Sequence, residues 1–248
     1  MKLIPFITAG YPSLDVFWEN LRELDANGAD TIEIGVPYSD PVADGPVIKA
    51  ASRQALANGA TLRWILDGLL QRKGQFKARL VLMGYLNSFL LYGFERLAAE
   101  AAEIGIYGFI IPGLPLEEGA ECRALLGEKG IHLIPLVATN TSLERMRQYA
   151  AVSTGFVYLI SVLGTTGERQ GLADGVLEAL RRTRQAFDLP IALGFGLSHP
   201  SQLDAIPPPD RPDAVIFGSA LIRHIGEGGS VAEFMRQWQG RETTAAPS

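Results

Sequence analysis

Short runs of β-branched and apolar residues alternate with longer stretches whose apolar positions recur every three to four residues. The first pattern predicts strands and the second predicts amphipathic helices. Eight strands are expected, at 3–8, 31–34, 80–83, 108–111, 132–137, 156–161, 190–194 and 214–218. Helices are expected near 13–27, 47–58, 62–73, 94–104, 116–129, 142–150, 174–187, 199–203, 219–225 and 231–238. Ser13, Thr61 and Ser142 stand where N-caps belong, and Gly28, Gly59, Gly74, Gly105 and Gly130 sit just past helical patterns, as C-cap glycines do. Strands that alternate with helices pair in parallel through right-handed crossovers. Eight such units in 248 residues fit an α/β fold: a closed single-domain (β/α)8 barrel, the TIM barrel, over 1–240, with a disordered tail at 241–248. A doubly wound open sheet is the alternative. It calls for a glycine-rich dinucleotide loop after the first strand, and Gly10-Tyr11-Pro12 is not one.

The stretch 31–46 organises the rest. Thr31, Glu33 and Gly35 share one face of the second strand, and Ile32 and Ile34 share the other. The isoleucine face belongs to a core. A carboxylate buried without a partner is costly, so Glu33, at the C-terminal end of a barrel strand, marks a catalytic position. Asp44 follows in a loop bounded by prolines and glycines. Alone it is an ordinary turn aspartate; beside Glu33 it becomes a second site carboxylate. Asp40 reads as a residue that braces this loop.

Three glycine-rich segments follow the last three strands: 164–167, including Thr166 and Gly167; 194–198, including Phe195 and Gly196; and Gly218-Ser219, which opens a helix. Loops after strands seven and eight, with backbone N–H groups at a helix N-terminus, form the phosphate site of this fold. Phe6, Tyr85 and Phe195 are candidates to pack around a flat apolar ligand, although aromatic residues in barrels also serve as core. Tyr158, inside strand six, either reaches the cavity or fills it.

Composition narrows the classes. A net charge of -5 and a pI near 5.3 argue against a nucleic-acid surface. One cysteine, Cys122, excludes an internal disulfide and suits a reducing, cytoplasmic compartment. It reads as a packed thiol. No apolar run approaches the ~20 residues of a membrane span. His132, His199 and His224 have no metal-ligand spacing. No metal and no membrane are expected.

The same residues carry a resemblance. E-I-G-V-P-Y-S-D-P-V-A-D-G-P-V-I-K, from Glu33 to Lys49, resembles the defining segment of the tryptophan synthase α-chain family. So do P-F-I-T-A-G-Y-P, L-M-G-Y-L-N, L-P-L-E-E, G-F-V-Y-L-I-S-V-L-G-T-T-G, G-F-G-L-S and F-G-S-A-L. The resemblance implies a (β/α)8 lyase that splits indole-3-glycerol phosphate into indole and glyceraldehyde 3-phosphate. It implies no cofactor in this chain, and a pyridoxal-phosphate-bearing β chain as partner in an α2β2 assembly. Glu33 matches the family's acid–base position, Asp44 the carboxylate at the ring N–H, and Tyr158 a tyrosine near the reacting atoms. Gly167, Gly196, Gly218 and Ser219 match its phosphate cradle, and Asp40 and Pro41 its interface loop. The chain departs from the family at Lys49, Ser88, Tyr107, Gly113 and Thr139. Gly113 stands where Asp is usual, which is expected to loosen the loop after strand four. The alternatives are a stand-alone lyase releasing indole, an isomerase or epimerase on a related sugar phosphate, and a weakly active subunit that mainly activates a β chain.

Overall fold

The computed structural model describes residues 1–161, 171–194 and 196–239. The first half of the chain runs β1 (Lys2–Thr8), α1 (Leu14–Ala26), β2 (Thr31–Gly35), α2 (Pro46–Ala57), α3 (Leu62–Gln71), β3 (Arg79–Met83), α4 (Leu86–Tyr92), α5 (Phe94–Ile104) and β4 (Gly108–Ile110). The second half runs α6 (Ala120–Glu128), β5 (His132–Leu133), β6 (Leu136–Ala138), α7 (Leu143–Ala150), β7 (Val157–Ile160), α8 (Gly171–Ala186), β8 (Ile191–Gly194), β9 (Ala214–Phe217), α9 (Ser219–Gly226) and α10 (Val231–Gln239). All pairings are parallel, in the order β5-β4-β3-β2-β1-β9-β8-β7-β6. Expected tail 241–248 lies outside the described residues.

The two ends of that order are consecutive in the chain, and this closes the sheet into a barrel. β5 pairs with β4, and β6 pairs with β7. Only Ile134 and Pro135 separate them. The Ile134 N–H donates to the Phe109 carbonyl (2.8 Å), and the Pro135 carbonyl accepts from the Tyr158 N–H (3.0 Å). The expected single strand at 132–137 is therefore two short pieces, each facing a different neighbour. Pro135 stands at the changeover, where its missing N–H costs no ladder bond.

Apart from the short β5 and β6, the strands are buried on both faces, so their sequences read as nearly unbroken apolar runs. Ile7, Ile32, Ile34, Leu82, Phe109 and Val215 pack outward under the helices. Ile4, Val81, Ile110, Ile134, Tyr158 and Ile216 fill the barrel interior. Register sets Phe6 beside Glu33 and Thr8 beside Gly35 across β1 and β2. Glu33 is thus the inward residue of a strand whose outward residues are core.

The expected caps form. The Ser13, Thr61 and Ser142 side chains accept from the N–H groups of Val16, Trp64 and Arg145. Gly28, Gly59, Gly74, Gly105 and Gly130 all have φ between 71° and 93°, the left-handed region that glycine enters freely. Cys122 is buried in α6, as expected of a packed thiol. Three elements differ from expectation. α4 is not among the expected helices, because seven residues before Gly93 are too short to show a helical period. α6 begins at Ala120 rather than 116, since the chain first turns after Pro115. The short helix at 199–203 is a 3₁₀ segment, Pro200–Ala205.

α4 is anchored through Phe89, which is fully buried, meets Phe109 edge-on at 5.4 Å and closes over Gly84. Phe89→Ala is expected to cost ~3–5 kcal/mol of stability, read as a lower midpoint in chemical denaturation, and to loosen the Tyr85 end of α4.

Candidate active site

β2 ends at Gly35, and its side-chain face is set by the alternation that buries Ile32 and Ile34. Glu33 is 1% exposed. Neither of its carboxylate oxygens has a hydrogen-bond partner among the described residues. Burial, and then the nearby charge of Asp44, push its carboxyl up to about 8. It is a neutral acid at pH 7, where an ordinary glutamate is ionised.

Asp44 lies just before the N-terminus of α2, whose first residues are Gly45 as cap and Pro46. Burial raises its carboxyl as well, but the Tyr85 hydroxyl and the Lys49 ammonium pull the other way. The Tyr85 hydroxyl donates to Asp44 Oδ2 (3.1 Å) and accepts from the Ala43 N–H (3.0 Å). Tyr38 stacks on Tyr85 at 5.0 Å, and the Asn87 amide donates to the Tyr38 hydroxyl (3.4 Å).

Tyr158 reaches inward from β7 and is buried. Burial, Glu33 and Asp44 all raise its hydroxyl well above the ordinary value, so it remains a neutral donor. A Cβ at Gly194 would sit 2.6 Å from its oxygen; the neighbouring strand must carry glycine for Tyr158 to stand there. Tyr158 therefore both fills the interior and faces the carboxylates, and the two readings of it were not exclusive.

Two adjoining clefts open above these groups. The smaller, of about 20 Å³, is walled by Phe6, Val36, Ile48, Met83 and Pro112, with Asp44 and Tyr85 on its rim. The larger, of about 100 Å³, joins Asp44, Phe6 and Met83 to Gly196, Gly218 and Ser219. Gly218 caps α9 and Ser219 is its first residue. First-turn N–H groups have no intrahelical acceptor and favour an anion. A Cβ on Gly218 would press on Phe6 at 3.0 Å.

The structure thus brings together Glu33, Asp44, Tyr158, Phe6, Tyr85, Gly196, Gly218 and Ser219. Thr166, Gly167 and Phe195 lie outside the described residues. Asp40 and Pro41 lie on the loop leading to Asp44, whose N–H donates to the Pro41 carbonyl (3.0 Å). Sequence reasoning missed Thr8, Ile48, Met83 and Pro112, which line the smaller cleft. The alternation Ile4, Phe6, Thr8 pointed to Thr8, whose buried hydroxyl also has no partner among the described residues. Gly113 takes φ 81°, so Asp there would gain bracing bonds only at the cost of a left-handed backbone. Among the described residues no group of His, Cys, Asp and Glu is arranged to hold a metal ion. Among the described residues no helix is long and apolar enough to cross a membrane.

Residues 1–245 match the model of the family described as tryptophan synthase alpha chain. This chain belongs to that family. A tryptophan synthase alpha chain of Nitratidesulfovibrio vulgaris is 59% identical over 239 residues, covering 96% of this chain and 92% of the relative. One from Desulfovibrio desulfuricans is 58% identical over 237 residues, covering 96% and 93%. Among solved structures, the tryptophan synthase complex of Pyrococcus furiosus has a chain that superposes with a TM-score of 0.85 at 32% identity, covering 97% of this chain and 98% of that one. Tryptophan synthase subunit alpha of Campylobacter jejuni superposes with a TM-score of 0.84 at 30% identity, covering 95% and 93%. Family members share the TIM-barrel architecture described above.

Burial of Glu33 has a sign that can be tested by stability alone. Its folded carboxyl titrates near 8 against an ordinary 4.5, so the folded state holds the proton more tightly than the unfolded one. Stability is then full below the unfolded value and falls as pH rises through the window up to about 8. Glu33→Gln removes that penalty. The variant is expected to match the parent at low pH and to exceed it by on the order of a few kcal/mol above the window, measured by denaturation across pH.

Proposed function

We propose that this chain is a carbon–carbon lyase that cleaves indole-3-glycerol phosphate into indole and glyceraldehyde 3-phosphate. The observation that carries this reading is the shared cleft: Asp44 and the Gly196, Gly218 and Ser219 backbone line one cavity, with the neutral acid Glu33 within electrostatic reach of Asp44. Phe6, Ile48 and Met83, common to both clefts, give the apolar lining that an aromatic ring requires. The α9 N-terminus suits the phosphate at the other end.

The chemistry needs a proton delivered to indole C3 and another removed from the glycerol hydroxyl on the adjoining carbon. Glu33 begins protonated and gives its proton to C3. The ring then carries cationic indolenine character, which the Asp44 carboxylate stabilises at the ring N–H. The carbon–carbon bond breaks, its electron pair returns to the ring, and the hydroxyl becomes the aldehyde as its proton passes to the Glu33 carboxylate. Glu33 ends as it began, so one residue serves as acid and base. Tyr158, held neutral, offers a hydrogen bond beside the reacting atoms. Thr166, Gly167 and Phe195 are assigned to the substrate by their place in the family motifs.

The partner reading is a tryptophan synthase β chain carrying pyridoxal phosphate, in an α2β2 assembly; this chain uses no cofactor of its own. Support comes from three exposed apolar residues: Val42 at 71%, Leu90 at 55% and Leu91 at 88%. They lie on the Asp40–Pro41 loop and on α4, the two segments joined by Tyr85 and Tyr38. The reading places the protein in the cytoplasm.

Indole release from indole-3-glycerol phosphate, with and without a β chain, tests the assignment. Glu33→Gln is expected to lower turnover ~10²–10⁴-fold; near-normal turnover in the folded variant would sink it. The parent's kcat/KM is expected to fall as pH rises through about 8, where Glu33 loses its proton. Gly218→Val crowds Phe6 and the phosphate approach, and is expected to raise KM more than it lowers kcat. Phosphate held elsewhere, by arginines, in a ligand complex would overturn the cradle.

A further inference from the structure

The Tyr85 hydroxyl is fully committed within the protein. It donates to Asp44 and accepts from the Ala43 backbone. It is contributed from across the barrel rim, 41 residues away in the chain from Asp44. On its other side Tyr85 is the N-cap residue of α4, which Phe89 pins into the core. Its ring stacks on Tyr38, at the start of the loop that carries Asp40, Pro41 and Val42. One side chain therefore joins the end of that loop, its beginning and a fixed helix.

We propose that Tyr85 is a positioning residue whose hydroxyl ties the Asp44 carboxylate to the partner-facing loop, so that ordering of the loop and placement of the carboxylate are one event. The proposal rests on the lyase reading and goes beyond it, because it gives Tyr85 a role through Asp44 rather than through the substrate. A loop held by a partner presents Ala43 and Asp44 to Tyr85 together; a loop that drifts releases both bonds. The two states differ in contacts at two sites, which is what coupling between docking and catalysis requires.

Two side chains bear on the Asp44 charge, Tyr85 after β3 and Lys49 on α2, and that charge bears in turn on Glu33 of β2 and Tyr158 of β7. Of these, Tyr85 and Lys49 favour the ionised form. Loss of the Tyr85 bond leaves burial less opposed, so Asp44 holds its proton to higher pH. A bulky aromatic that merely filled space would have no such signature.

Tyr85→Phe keeps the ring and removes the hydroxyl. In indole-release assays on the purified chain, kcat/KM is expected to drop about ten- to a hundredfold, and the acidic limb of its pH profile to move to higher pH. Stimulation by an added β chain is expected to shrink as well. A reduced rate with an unmoved acidic limb would show a purely structural role and overturn the proposal, as would an unchanged rate. Carboxylate titration by carbon-13 NMR gives a readout independent of turnover: the Asp44 midpoint should rise in Tyr85→Phe. If the parent releases no indole, the lyase reading fails, while this titration still decides the Tyr85–Asp44 tie. Should Tyr85→Phe not fold, Tyr38→Leu removes the stacked ring and is expected to shift the Asp44 midpoint in the same direction; no shift overturns the proposal.

Discussion

A carboxylic acid with no hydrogen-bond partner among the described residues sits at the inner wall of a closed parallel barrel, and much of the structure follows from the need to tolerate it. An ionised Glu33 in that position would be expensive. The least costly outcome is a retained proton, and a retained proton at neutral pH is what an acid catalyst requires. Toleration depends on the rest of the barrel. Strands buried on both faces supply the apolar burial that offsets one poor contact. The site residue is costly for the fold, and its cost has a direction in pH.

Asp44 shows the complementary solution. It is half-buried, and it has a hydroxyl donor, a lysine on the next helix and a place before a helix N-terminus. Glu33 feels the Asp44 charge, while the effect of burial on Asp44 is opposed by a hydroxyl and an ammonium. Environments that treat two neighbouring acids differently divide the labour of proton transfer and charge stabilisation.

Most of the barrel was legible in the sequence because its signals are local. Strand and helix periods, three serine and threonine caps and five left-handed glycines each declare themselves within a few residues. Glu33 was legible for the same reason: alternation along one strand fixes the face on which it falls. What stayed hidden depends on distant partners. Strand five reads as one run, since its division comes from two neighbours on opposite sides. α4 is short, and its stability comes from Phe89 packing on Phe109, which no window around residue 86 contains. Thr8 looks like any polar residue near a strand end until its burial is known.

The Tyr85 tie belongs to that hidden class, and it explains why the residue was read as a ligand contact. An aromatic after a barrel strand is a natural wall for a flat ligand, and Tyr85 does border the smaller cleft. Its hydroxyl, however, is used on the loop of another βα unit. A loop that carried Asp44 alone would be free to sample positions in which the carboxylate faces water, where its charge would stabilise little. Pinning the loop at both ends through one aromatic ring limits that sampling without rigidifying the cleft itself, because the ring is anchored in α4 rather than in the barrel wall. The site can then be precise at its charged groups and remain open where substrate enters and product leaves.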